Sequence, residues 1–268
     1  MSHLSIASTE ADARAAAAVE QHHAAMAGAL AVRVSAVLQS AARGERAAVD
    51  AAGALVTWSE DELVPHALAE ESTLYAAARA LPEGRLLIGG MVAEHAVILG
   101  LVREISDATE PVAAAAAARA LQVVFEGHLA KENTLVLPLL TADPSTSVAD
   151  LLGGLHELVG GTPSAHEGEH PEKQGHAEEG DHPCTCGADD PGALPELDAR
   201  VIPHAIRHAT IFGALDSLAP GRGLVVVAPH DPARLLAQVE AREPGVFSME
   251  RLEQGPETWR VALVRRAG

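Results

Sequence analysis

The sequence predicts a multidomain chain: an all-α, up-down four-helix bundle followed by a small α/β domain, a two-layer sandwich of order β-α-β-α-β-β. Three observations carry this. Four long segments rich in Ala, Leu, Val, Glu and Arg favour helix, and each repeats apolar residues at three- and four-residue spacing. The connections between them are short, which sets neighbouring helices antiparallel. Beyond a stretch dominated by Gly, Pro, Glu and His, short apolar runs alternate with helical ones. The expected divisions are 1–159 for the bundle, 160–195 for a linker and 196–268 for the α/β domain.

The first helix starts after the capping hydroxyls of Ser8 and Thr9 and is expected to run to about Gly44. The second is expected from Glu45 to Leu81, bent just before His66 by Pro65, which removes one backbone hydrogen bond. "LPEGR" (81–85) turns the chain into a third helix ending near Asp107. The fourth opens at "TEP" (109–111), where proline suits the first helical position. A further short helix is expected over 147–159.

"GGTPSAHEGEHPEKQGHAEEGDHPCTCGADDPGALP" (160–195) has too few large apolar residues to fold alone. After it, "ELDARVI" reads as a strand, "PHAIRHATIFGALDSLA" as a helix opened by Pro203, and "GLVVVAP" as a buried strand. "DPARLLAQVEARE" reads as a helix with Asp231 as cap and Pro232 at its first position. "FSMERLEQGPETWRVALVRR" reads as a hairpin around Gly255-Pro256.

The chemistry lies in the apolar stripes of the four helices. The first stripe is Val19, His23, Met26, Leu30, Val34 and Val37. The second is Leu63, His66, Glu70, Leu74, Ala77 and Leu81. The third is Ile88, Met91, His95, Ile98, Val102 and Ile105, and the fourth is Leu121, Val124, His128, Glu132, Leu135 and Leu139. Each helix sets a histidine in the face that meets the others, and two add a glutamate one turn on, roughly 6 Å along the axis. Unpartnered imidazoles and carboxylates are costly in a core. A metal cage satisfies all six at once. Imidazole and carboxylate without thiolate suit non-haem iron, with manganese and zinc fitting the same donors, and a carboxylate can bridge two ions as imidazole cannot. The expected centre is dinuclear: His23, His66, His95 and His128 as nitrogen donors, Glu70 and Glu132 as bridges. His22 adjoins His23 and only one of them can face the core. His23 is in phase with Met26, Leu30 and Val34, and His22 is the alternative.

With 268 residues, 48% hydrophobic and 2% aromatic, the chain has ample apolar material but no stacking platform. A formal charge of −18 argues against nucleic-acid binding. No apolar run reaches bilayer length, the acidic N-terminus does not read as a signal peptide, and Cys184 and Cys186 are poorly spaced for a structural disulfide. The expectation is a cytoplasmic protein with no membrane partner.

Residues 15–140 resemble the haemerythrin-like family of cation-binding bundles, on the strength of "HALAEESTLY", "HLAKENTLVLP" and the "AEH" of the third helix. Haemerythrin proper has H-x-x-x-H on the third helix, whereas here Leu99 follows His95. Asn133 stands where an aspartate would follow the last histidine. The chain is closer to bacterial members with four His and two Glu, including iron-centre repair proteins that act under nitrosative and oxidative stress, though their cysteine-bearing N-terminal segment is not found here. Residues 196–268 resemble a TusA-like domain family of unassigned role found appended to such bundles, through "ELDAR", "PHAIRHATIF", "VVVAPHDP" and "GPETWRV". Sulfur carriers place a cysteine before the proline that opens the first helix. Here that residue is Ile202. His204, His208 and His230, joined by Cys184 and Cys186 from the linker, are candidates for a second metal site in the tail.

The resemblance implies a diiron protein that binds or reduces NO, peroxide or O2 in stress sensing, detoxification or iron-centre repair, with a redox partner or an iron-protein client. The competing expectation is a non-enzymatic iron or oxygen store, or an adaptor whose tail binds a partner. A hydrolytic dizinc enzyme is disfavoured, because a buried bundle cage leaves little room for a bulky substrate.

Overall fold

A computed structural model describes residues 9–41, 45–158, 194–204 and 206–267. Most of the expected linker, with Cys184, Cys186 and the linker histidines 166, 170, 176 and 182, lies outside the described residues, as does Gly44.

Four helical rods close into a ring, each packed on its two neighbours. The first is α1 (Glu10–Ala41). The second is built of α2 (Glu45–Trp58), α3 (Val64–Ser72) and α4 (Leu74–Ala80). The third is α5 (Gly84–Asp107), and the fourth is α6 (Pro111–Lys131) with α7 (Leu137–Ala142). A short α8 (Val148–Leu158) returns against α1. As expected from its hydroxyls, α1 is capped by Thr9, whose Oγ accepts from the Asp12 amide at 3.0 Å. Buried Asp12 in turn accepts from the Ala149 amide at 3.1 Å and ties α8 to the start of α1.

The second rod is not the single bent helix expected. It widens into a π-turn over Ser59–Leu63 and breaks again at Thr73. The fourth rod widens over Glu132–Val136. Both π-turns lie just before a proline, and the cause is the same. Pro65 and Pro138 lack an N–H for the carbonyls of Asp61 and Thr134, and their rings would crowd those carbonyls. Widening relieves the clash: the Val64 N–H reaches back five residues to Ser59, and that of Leu137 to Glu132. The extra residue per turn rotates the helix beyond it. Hence Leu135, expected in the fourth stripe, is exposed, and Val136 and Leu140 are buried in its place. The first and third stripes are buried throughout.

Apolar layers lie on both sides of the histidines. One includes Leu30, Val34, Leu55, Ile98 and Phe125; the other includes Val19, Leu74, Ile88, Met91 and Leu140. Against the expectation that no apolar run reaches bilayer length, helices α1 and α5 are each long and apolar enough to cross a membrane by length and hydropathy. Both carry a buried histidine near their middle.

The C-terminal unit is β1 (Glu196–Asp198), α9 (Arg207–Asp216), β2 (Gly223–Ala228), α10 (Ala233–Arg242), β3 (Phe247–Gln254) and β4 (Trp259–Arg265). The sheet order is β1-β2-β4-β3, with β1 parallel to β2 and the other pairs antiparallel. The element order is the one expected, and three boundaries differ. β1 is three residues long, α9 starts four residues after Pro203, and Pro232 precedes α10 while Asp231 accepts from the Ala233 amide at 3.0 Å. The hairpin turns at a cis Gly255-Pro256 bond.

This unit is seated on the bundle. Helix α9 crosses α1 at two glycines: a Cβ at Gly28 would lie 2.1 Å from the Ala214 amide nitrogen, and one at Gly213 2.1 Å from the Ala24 carbonyl oxygen. Ala31 of α1 belongs to the tail's apolar core, and the Glu196 amide donates to Ser35 Oγ at 2.9 Å.

On α6, Gln122, Glu126 and Ala130 share the face turned toward the tail, since Ala130 packs on the tail's core. Burial drives the Glu126 carboxyl from 4.5 up to about 7, only partly offset by the hydrogen bond from Gln122 at 2.8 Å and the charge of Arg119. The folded chain therefore holds a proton that the unfolded chain releases above 4.5, so Glu126 makes stability fall as pH rises from 4.5 through 7. Glu126→Gln, which keeps the acceptor oxygen, is expected to stabilise the protein by roughly 2 kcal/mol at pH 8. It should also flatten the stability–pH curve over that window, as read by urea unfolding.

Candidate metal centre

The helical period and the two apolar layers leave six polar side chains no direction but inward. His23 of α1, His66 and Glu70 of α3, His95 of α5, His128 of α6 and Glu132 at the π-turn are all buried, none more than 4% exposed. The π-turn begins at Glu132 itself, and widened turns of this kind recur at functional sites.

Their donor atoms converge in two groups that share one residue. His23, His66 and Glu70 each place an atom within 4.8 Å of the others, and so do Glu70, His95, His128 and Glu132. Glu70 Oε1 is 3.2 Å from His23 Nε2 and 3.1 Å from His66 Nε2, while its Oε2 is 3.7 Å from His95 Nε2. Glu132 Oε1 is 3.5 Å from His128 Nε2 and its Oε2 3.7 Å from His23 Nε2.

The outer contacts decide which way each imidazole faces. His95 Nδ1 meets Glu71 Oε1 at 2.8 Å, His128 Nδ1 meets Glu94 Oε2 at 3.1 Å, and His23 Nδ1 meets Asn133 Oδ1 at 2.7 Å. A carboxylate only accepts, so His95 and His128 donate outward from Nδ1. In the neutral rings, that turns both Nε2 lone pairs inward, where they face each other at 3.0 Å. Two lone pairs at that distance repel, and a shared cation resolves the conflict. Elsewhere in the ring, buried His66 Nδ1 and Glu132 Oε2 have no hydrogen-bond partner. Orphaned polar atoms in a dry core cost about 1–3 kcal/mol each. The donors fit a metal: imidazole nitrogens and carboxylate oxygens aimed at common points, with carboxylates behind two of the histidines.

Without a metal, protons take its place. Burial alone would lower the pKa of His23, but the hydrogen bond to Glu70 and the charges of Glu132 and Glu70 raise it to about 9. Glu70 is held well below the usual carboxylate range: burial opposes this, and His66 and His23 outweigh it.

Tyr75 of α4, 1% exposed, is a site residue the sequence reading missed. Its hydroxyl donates to Glu132 Oε1, lies 3.0 Å from His128 Nε2, and its ring stacks on His95 at 5.2 Å. Burial, together with Glu132 and Glu70, pushes the phenol far above its ordinary value, so it keeps its proton. The available signal was that Tyr75 is the only tyrosine in the chain and lies five residues after Glu70. Glu71 and Glu94 were also missed, although each adjoins a ligand position in sequence, and Asn133 was noted only for standing in an aspartate's place.

His23 is the histidine turned inward. His22 is exposed and its ring lies 5.0 Å from that of His66. His204, His208 and His230 are exposed, and His204 precedes α9 rather than sharing a helix turn with His208. Among the described residues these three join no cluster of metal-type ligands.

Because Glu71 and Glu94 orient His95 and His128, Glu71→Gln and Glu94→Gln are expected to weaken metal binding roughly 10- to 100-fold each. Competition with a chromophoric chelator reads this directly.

Residues 14–140 match the family model described as "Hemerythrin HHE cation binding domain". Residues 196–265 match the one described as "Uncharacterized conserved protein (DUF2249)". No curated protein and no solved structure matches the chain.

Proposed function

We propose, starting from the fact that residues 14–140 belong to the hemerythrin HHE cation-binding family and so form a metal-binding unit, that the ring holds two iron ions and handles a small oxidant. The observation that carries the reading is Glu70, shared by two groups of buried donors. His23 and His66 would hold one ion and His95, His128 and Glu132 the other, with Glu70 between them. Glu132 Oε2, near His23, is suited to a second bridge. Four imidazoles and two carboxylates with no thiolate suit iron. Six donors for two ions leave coordination positions open. Ferrous iron held there would supply electrons and a binding position for NO, peroxide or O2.

The chain's own residues do the rest. Tyr75 holds a proton at Oη beside Glu132 and His128, where it can donate to a bound oxidant. The apolar layers on either side exclude bulk water, which strengthens each hydrogen bond within. Turnover needs electrons from a redox partner in a reducing compartment such as the cytoplasm.

Anaerobic NO added to the ferrous protein is the test. Iron–nitrosyl absorption bands, with two irons per chain in protein purified without added metal, are the expected result. A spectrally silent protein, or one that carries zinc or manganese in place of iron, would end this reading.

A further inference from the structure

All six donors of the ring are buried, so an ion has to be handed inward. Three histidines span the distance from solvent. His22 of α1 is exposed, and its ring centroid lies 5.0 Å from that of His66. His66, 4% exposed, lies in turn 5.3 Å from His23, which is 1% exposed. His22 and His23 are neighbours in sequence and leave α1 roughly 100° apart. One therefore faces the ring while the other stands beside α3.

The other imidazoles are closed to a cation from outside. His95 and His128 turn an Nδ1–H toward Glu71 and Glu94, and His23 Nδ1 meets Asn133 Oδ1. An ion held at Glu71 or Glu94 would meet a hydrogen there and not a lone pair. His66 differs. Its Nε2 lies 3.1 Å from Glu70 Oε1. A carboxylate only accepts, so in the neutral ring the proton sits on Nε2 and the lone pair on Nδ1. That Nδ1 is buried and has no hydrogen-bond partner among the described residues.

We propose that His22 and His66 Nδ1 form an entry site for a divalent cation, which His66 then delivers to the ring. Imidazole nitrogens hold such an ion at roughly 2.1 Å, and rings 5.0 Å apart can close on one with small side-chain rotations. Turning the His66 ring about its Cβ–Cγ bond carries the loaded nitrogen inward and the Nε2 proton outward. Glu70 Oε1 and His23 Nε2, 3.2 Å from each other, then replace His22 on the ion. The step is ligand exchange: nothing is oxidised and no proton leaves. Helix α3, nine residues between the π-turn and the break at Thr73, carries both His66 and Glu70, so the residue that delivers and one that receives belong to one short segment. The proposal rests on the ring being the metal centre proposed above, whichever divalent ion it takes. On this reading His22 sets the rate of loading and leaves the final affinity to the ring.

Quenched-flow mixing of the metal-free full chain with ferrous ion under anaerobic conditions, stopped into a chromophoric chelator, gives the loading rate. Transfer from the loaded chain to excess chelator gives the release rate. Entry and exit share one barrier, so His22→Ala is expected to slow both by the same factor, about tenfold, with equilibrium affinity unchanged. His22→Asp, which keeps a donor at the surface, should recover most of the loading rate. The site is exposed, so helical circular dichroism should not change. Loading of His22→Ala at the wild-type rate overturns the proposal. So does a loss of affinity that matches the loss of loading rate, because His22 would then be a resident ligand. A parallel series with zinc keeps the two readings apart. A ring that takes zinc and refuses ferrous ion ends the iron reading, while the ratio of zinc loading rates in His22→Ala and wild type still decides the entry site.

Discussion

Glu70→Ala is expected to cut the metal content of the purified protein to less than half and to weaken what remains by more than tenfold. The reason is topological. Glu70 is the one residue that belongs to both donor groups, with Oε1 near His23 and His66 and Oε2 toward His95. Its loss leaves the first group with two imidazoles and no charge, and takes one of two carboxylates from the second. Glu132→Ala should be milder, because His23, His66 and Glu70 persist as a complete group without it. The order of severity is therefore the discriminating readout, measured by metal analysis and by the rise in melting temperature on adding ferrous ion. A bound ion stabilises the fold in proportion to the logarithm of its excess over the dissociation constant, so that rise should nearly vanish in Glu70→Ala. Equal losses from the two variants would mean one site and not two; a full metal complement in Glu70→Ala would remove the shared carboxylate from the centre altogether. Misfolding is separable, since a collapsed bundle would also lose its helical circular dichroism.

The ring was legible in the sequence because a polar residue in an apolar seam has few ways to be satisfied. His23, His66, His95 and His128 each interrupt a 3.6-residue stripe at a common depth, and Glu70 and Glu132 repeat at the same offset. The residues around them were not legible. Tyr75 reads as one more apolar neighbour of Leu74 until its hydroxyl is seen against Glu132. Glu71 and Glu94 flank ligands in sequence, and only the helix directions show that they back His95 and His128. Pro65 announced a distortion, but whether a helix kinks or widens depends on which carbonyls find new partners. The outcome at Pro138 was a π-turn that carried Leu135 into solvent. In the tail, the strand and helix order followed from alternation and turn residues. Where the tail sits did not, because Gly28 and Gly213 are two of 23 glycines, and nothing local marks them as a crossing point.

That crossing point is where the second large effect is expected. Gly28→Val should detach the C-terminal unit from the bundle and cost the folded protein about 3 kcal/mol or more, beyond the usual range for overpacking a core. The obstacle is backbone: a Cβ at position 28 would lie 2.1 Å from the Ala214 nitrogen and 2.5 Å from the Gly213 carbonyl carbon. A side chain can swing aside, whereas a helix backbone held by its own hydrogen bonds cannot. Helix α9 must therefore retreat, and with it go the burial of Ala31 among the tail's apolar residues and the bond from the Glu196 amide to Ser35. Gly53→Ala is the control, since its Cβ meets nothing within 4 Å. In an exposed helix interior that change should stabilise by about 0.5–1 kcal/mol. Hydrogen exchange at the amides of α9 and β1 reads the detachment, and unchanged protection there would show that the two helices accommodate the branch. The same variant asks whether the tail matters to the metal. His23 precedes Ala24, whose carbonyl touches Gly213, so the strand of contact between tail and ring is one peptide long. If α9 braces α1, metal affinity falls together with the docking. If affinity holds while the tail swings free, His23 is positioned by the bundle alone.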